Sequence, residues 1–294
     1  MNRKQFLQTF GLFAFAGSTL NHKLLNKMIE NKNTIPRMPV LFVGHGSPMY
    51  AIEENEFVQT WRNLGEELPK PKAIIAVSAH WETRGTQVTA MQHPQTIHDF
   101  GGFPQELYAV QYPAPGNPEL AKEAIETIKG TPILPDEKWG LDHGTWSVIR
   151  RIYPKADIPV IQLSLDYHKT PQQHYELAKE LADFRKKGVM IVGSGNIVHN
   201  LRQVAWDKPD DEEYGHDWAI EANELIKKLI LENNHKALIN YKSLGSAVQL
   251  AAPSPDHFLP LLYAIALKRD EEEISFFNDK AVMGSLTMTS VRIG

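Results

Sequence analysis

Four of the chain's twelve histidines stand where an apolar run gives way abruptly to a turn or a helix. His45 follows Val40–Val43 and lies between Gly44 and Gly46, ahead of Ser47 and Pro48. His80 closes the run from Ala73 to Ala79 and is followed by Trp81. His199 comes shortly after Val189–Val192 and the small residues Gly193-Ser194-Gly195, and His257 follows Pro253, Pro255 and Asp256. Imidazole is the commonest metal-binding side chain and the one that titrates near neutrality. In an open α/β sheet, ligands bind in the crevice beyond the carboxyl ends of the strands. Histidines far apart in sequence can converge there, so the pattern predicts a histidine-rich metal site in an α/β enzyme.

The local settings refine that expectation. Glycines on both sides of His45 let the backbone turn tightly and approach an ion or substrate closely. His45 and His80 end runs of the same kind, and neighbouring parallel strands would bring the two tips together. His199 is placed to be either a ligand or a base close to the metal. His257 reads as the start of a helix, with Asp256 as its N-cap; the helix dipole there disfavours protonation and suits a metal ligand. Asp256 has the alternative role of orienting a ring as a hydrogen-bonded carboxylate; the cap is the expectation. His143, in Trp139-Gly140-Leu141-Asp142-His143-Gly144-Thr145-Trp146, suggests an aromatic-walled pocket with one polar tip. His93 and His98 are expected on the pocket rim, and His22, His168, His174, His216 and His235 at the surface.

The elements that must position these residues alternate along the chain. Short apolar runs at 40–43, 73–78, 86–90, 158–163, 189–192 and 248–250 read as strands bounded by Gly, Pro and Ser. Amphipathic stretches at 51–68, 118–129, 146–153, 171–185, 218–232 and 257–268 read as helices, with Pro171 at a first helical position and Gly188 just past a helix end. Such alternation implies βαβ units and a single domain with a mostly parallel central sheet flanked by helices. Residues 287–293 are expected as a last strand at a sheet edge.

Composition limits the classes of function. Of 294 residues, 42% are hydrophobic and 22% charged, enough for a substantial core. A formal charge of −4 offers no basic face for nucleic acid. With no cysteine there is no disulfide, thiolate metal site or cysteine nucleophile. Gly44-His45-Gly46-Ser47 is not a nucleophile elbow, and Gly193-Ser194-Gly195 lacks the third glycine of a dinucleotide fingerprint. Glu271-Glu272-Glu273 reads as a solvated acidic turn. Residues 1–36 are set apart as a signal-like or disordered segment ahead of a catalytic domain at 37–294. Arg3-Lys4 followed by a small-residue-rich apolar stretch, with Ala14-Phe15-Ala16 as a cleavage pattern, is similar to a degenerate twin-arginine export signal. This leaves periplasmic and cytoplasmic locations open. The apolar stretch is too short for a membrane span, which takes roughly 20 residues.

Taken together, six segments resemble the class III extradiol ring-cleavage dioxygenases, and within them the 4,5-DOPA dioxygenase group (LigB-like). They are Gly44-His45-Gly46-Ser47-Pro48-Met49, Ser78-Ala79-His80-Trp81, His98-Asp99-Phe100-Gly101-Gly102-Phe103-Pro104, Leu141-Asp142-His143-Gly144-Thr145-Trp146, Gly193-Ser194-Gly195-Asn196-Ile197-Val198-His199-Asn200-Leu201 and Pro255-Asp256-His257-Phe258-Leu259-Pro260. The resemblance implies one divalent metal ion, zinc or Fe(II), held by His45, His80 and His257. It implies His199 as a further metal contact or the catalytic base, and His143 as a pocket residue assisting proton transfer or substrate binding. The wider class uses two histidines and a glutamate; no glutamate stands in a ligand motif here.

The metal decides the chemistry. With iron, the expected reaction is opening of a catechol such as DOPA with O₂, at the 4,5 bond, beside rather than between the hydroxyls. With zinc, which has no redox chemistry, Lewis-acid or hydrolytic chemistry is expected. A metal- or ligand-binding protein without turnover is the third reading.

Overall fold

The structure is a computed structural model, and it describes residues 37–294. The export-signal and cleavage expectations, and His22, lie outside the described residues.

Six strands form the central sheet: β1 (Val40–Gly44), β2 (Ala73–Ser78), β3 (Val160–Gln162), β4 (Val189–Gly195), β5 (Ile274–Phe277) and β6 (Ser290–Ile293). Their order is β5-β6-β1-β4-β2-β3. The four strands β1, β4, β2 and β3 run parallel, while β6 is antiparallel to both β1 and β5. The helices that cover the sheet include α1 (Glu56–Glu67), α2 (Pro118–Thr127), α3 (His143–Ile152), α4 (Pro171–Lys179), α5 (Asp217–Leu231), α6 (Ser246–Ala251) and α7 (Leu259–Ile265).

Both faces of the sheet are buried, which is why the parallel strands read as unbroken apolar runs rather than alternating ones. Successive side chains nevertheless point to opposite faces. Val40, Phe42, Ile75, Val77 and Ile191 pack with apolar residues of α2, α4, α5, α6 and α7. Leu41, Val43, Ile74, Ala76, Met190 and Val192 pack with Phe57 and Trp61 of α1 and with Trp146 and Ile149 of α3. Local signals set the helix starts. Asn55, Asn117 and Asp142 each accept a backbone N–H of the helix that follows, and Thr170 with Gln173 forms a capping box ahead of Pro171.

The architecture matches the expectation of a single α/β domain with a mostly parallel sheet, with several local corrections. Residues 248–250 lie in α6, not in a strand: Ala247, Val248 and Ala251 fall on one helical face and are buried. The strand at Thr86–Thr89 exists but pairs with Ile133–Asp136 outside the central sheet. The C-terminal strand is internal, because β5, which follows the acidic run, takes the edge. Within that run, Glu272 pairs with the buried Arg185, whose guanidinium also donates to the carbonyls of Met38 and Leu267.

The register brings the functional ends together. Gly44 pairs with Gly195 and Ser78 with Ser194, so β1, β2 and β4 finish at one level. β4 lies between the other two, so β1 and β2 are not neighbours, contrary to the sequence expectation. Small residues at its end leave room above it. A Cβ on Gly195 would lie 2.2 Å from the His257 carbonyl oxygen, a backbone atom that a rotamer change cannot move away. Gly195→Ala is therefore expected to destabilise the protein by about 1–3 kcal/mol or more, as overpacking does. Equilibrium urea unfolding measures this, and an unchanged midpoint would contradict the close approach.

Candidate metal centre

His45 begins the turn after β1. Its backbone N–H donates to the Gly195 carbonyl at 3.1 Å, and Gly46 takes φ +60°, where a side chain is strained. The ring is 2% exposed. Its Nδ1 lies 3.0 Å from Ser194 Oγ, and its Nε2 lies 3.1 Å from Nε2 of His80. His80 sits in the turn after β2, where its N–H donates to Ser78 Oγ and its Nδ1 faces Asp99 Oδ2 at 3.5 Å. His257 arrives from the opposite side, in the loop before α7. Its Nδ1 is hydrogen-bonded to the Asp256 carboxylate, and its Nε2 is buried with no hydrogen-bond partner. One ring nitrogen from each of these three histidines lies within 4.8 Å of the others.

Around this trio stand two more imidazoles. The His199 ring stacks flat on that of His257, with centroids 3.5 Å apart and planes 4° from parallel. It is not among the three whose nitrogens converge. His143 is the first residue of α3, and its ring is 3.9 Å from that of His80 and 5.7 Å from that of His45. Its backbone N–H donates to Asp99 Oδ1 at 2.8 Å, and its Nδ1 lies 3.0 Å from Asp99 Oδ2. Phe100 packs edge-on against His143 and near Trp146.

Two carboxylates partner these rings, and Asp256 takes the alternative role rather than the expected cap. Asp99 serves His80 and His143 together, and no motif reading singled it out; its only signal was its place in the segment from His98 to Pro104. Asp256 is not an N-cap, because α7 starts three residues later and Asp256 turns to the adjacent ring instead. Burial alone would raise both carboxyls. Hydrogen bonding to His143 holds Asp99 below the usual range, and hydrogen bonding to His257 holds Asp256 further below it.

Three of the imidazoles, His45, His80 and His199, are kept neutral. Burial, reinforced by the neighbouring rings, pushes His45 and His80 well below their ordinary value, and burial followed by proximity to His257 takes His199 down to about 3. Neutral rings have free lone pairs, as metal ligands need.

The other histidines divide. His93 and His168 are exposed, and His216 and His235 are partly buried. His98 is partly buried, with Nε2 3.0 Å from the Val110 carbonyl and its ring against Phe100. His174 is not at the surface: it is fully buried, bridging Tyr263 Oη and the Asp166 carbonyl. On a helix of mixed polarity its burial had no sequence signal, since the Tyr263 partner is supplied by tertiary packing.

The description "catalytic LigB subunit of aromatic ring-opening dioxygenase" fits residues 36–290. The chain belongs to that family. It is an aromatic ring-opening dioxygenase of the extradiol type, and metal binding in this LigB-family chain is consistent with its histidine cluster. It is 48% identical to 4,5-DOPA dioxygenase extradiol of Escherichia coli (strain K12), across 88% of this chain and 95% of that one. It is 35% identical to 4,5-DOPA dioxygenase extradiol of Beta vulgaris, across 85% and 96%. The crystal structure of an uncharacterized protein from Escherichia coli K12 superposes with a TM-score of 0.76 at 42% identity, covering 88% of this chain and all of that one. Among the described residues, no helix of this LigB-family chain is long and apolar enough to cross a membrane.

Buried neutral histidines make metal-free protein acid-sensitive. Their folded pKa values lie below the unfolded value near 6.5, so the stability they contribute is complete above that pH and is lost as pH falls. His174, lowered by burial to about 4, by itself accounts for about 3 kcal/mol across this window. Chelator-treated protein should therefore unfold at markedly lower urea at pH 5 than at pH 7.5, and equal midpoints would contradict the neutral assignment.

Proposed function

We propose that this dioxygenase opens DOPA or a closely similar catechol at the 4,5 bond, using one Fe(II) held by His45, His80 and His257. The observation that carries the reading is the convergence of three ring nitrogens from separate chain segments beside a His143–Asp99 pair. The donor set fits a divalent metal. Nε2 of His257 is a buried polar atom without a partner, which a bound cation would satisfy. The Nε2 atoms of His45 and His80 are 3.1 Å apart, a separation that only a shared proton or a shared cation makes favourable. Fe(II) held there would supply O₂ chemistry and activate a catechol's hydroxyls.

The chain's own residues supply proton handling and orientation. His143 accepts a catechol hydroxyl proton at Nε2 while Asp99 faces its Nδ1, and it returns the proton as the ring opens. Acid–base assistance of this kind is worth about 10²–10⁴ in rate. His199, stacked on His257, is assigned to acid–base work rather than ligation, because its ring lies outside the converging trio. Phe100 offers the catechol ring an apolar edge beside His143. The choice of DOPA among catechols is supported by the relatives named 4,5-DOPA dioxygenase extradiol.

Metal-free protein reconstituted anaerobically with Fe(II), then given O₂ and DOPA, is expected to consume O₂ and form a yellow semialdehyde. Zinc-loaded protein should do neither. Turnover with zinc under nitrogen would favour hydrolytic chemistry, and iron binding without turnover would overturn the substrate. In the same assay, His143→Ala and His199→Ala should bind iron but lose about 10²–10⁴ in rate. His45→Ala and His80→Ala should lose the metal.

A further inference from the structure

We propose that Ser194 is a positioning residue that fixes the tautomer of His45, holding its proton on Nδ1 and presenting Nε2 as the free lone pair. Ser194 is the next-to-last residue of β4 and is 1% exposed. Its hydroxyl has one hydrogen and two near partners. Oγ lies 2.5 Å from the Gly144 carbonyl oxygen and 3.0 Å from Nδ1 of His45. A carbonyl oxygen can only accept, so the hydroxyl hydrogen must lie on the Gly144 side. Only lone pairs of Oγ then face His45, and a hydrogen bond there requires Nδ1–H as the donor. A neutral imidazole carries one N–H, which leaves Nε2 unprotonated. That is the nitrogen 3.1 Å from His80.

The same hydroxyl ties His45 to the first turn of α3. Gly144 follows His143 directly, so one side chain sets both the ring of a metal ligand and the turn that carries the acid–base histidine. The consequence for metal affinity rests on the reading of His45 as a ligand; the tautomer does not.

Long-range ¹H–¹⁵N correlation spectra of the full chain, treated with chelator, distinguish Nδ1–H from Nε2–H rings. The His45 signal is assigned by its loss in His45→Ala. The wild type should show His45 as Nδ1–H. Ser194→Ala should show a mixture of tautomers and a zinc dissociation constant weaker by about 10–100-fold, the usual effect of losing a hydrogen-bond partner behind a metal ligand. Ser194→Thr, which keeps the hydroxyl, should restore both. A wild-type His45 protonated on Nε2 would overturn the proposal, whatever the variants do. So would an unchanged tautomer and zinc affinity in Ser194→Ala. Absence of zinc binding by the wild type would overturn the metal reading alone, since the tautomer is read without metal.

Discussion

Three imidazole nitrogens that face one another in a buried site are mutually unfavourable unless a proton or a cation lies between them. Water cannot relieve the arrangement from outside, because His45 and His257 are almost fully enclosed. Burial of an unpaired polar nitrogen costs on the order of 1–3 kcal/mol. A bound cation would convert that cost into ligation. Much of the local structure is consistent with this constraint. Ser194, Asp99 and Asp256 each occupy the outward side of one ring, which directs the lone pairs inward.

The fold meets the constraint through strand order. With β4 between β1 and β2, His45 and His80 start two strands apart and must lean across the end of β4. The end of β4 is Gly193-Ser194-Gly195, so no bulky side chain occupies that space. The same small residues let the chain before α7 descend onto the sheet, bringing His257 to the far side of the trio. Asp142 caps α3 and also accepts from Gln162, the last residue of β3, which fixes the start of α3 at His143. The histidine cluster and the sheet packing therefore share residues.

Much of this was legible in the sequence because the parallel strands are buried on both faces and end abruptly in glycine, serine or histidine. That pattern gave the fold class, four of the parallel-sheet runs and the five histidines that gather at the site. The illegible parts share a physical cause. A short apolar run such as Val248–Leu250 suits a helix or a strand, and only the packing surface of α5 decides. The edge position of β5 depends on its pairing with β6, which no local signal encodes. Asp99 acquires its role from rings brought to it by the fold, whereas Asp256 turns to its neighbour His257 because α7 starts too late for it to cap. Strand adjacency was the subtler error: parallel strands close in sequence order need not be neighbours, and here the intervening β4 is what makes room for the site.

The most direct test of the account is the X-ray absorption spectrum of the zinc-loaded protein, compared with that of His257→Ala. The account predicts a nitrogen shell at about 2.0–2.1 Å with outer scattering from three imidazoles, falling to two in the variant. An oxygen-dominated shell without imidazole scattering, or a spectrum unchanged by the substitution, would contradict it.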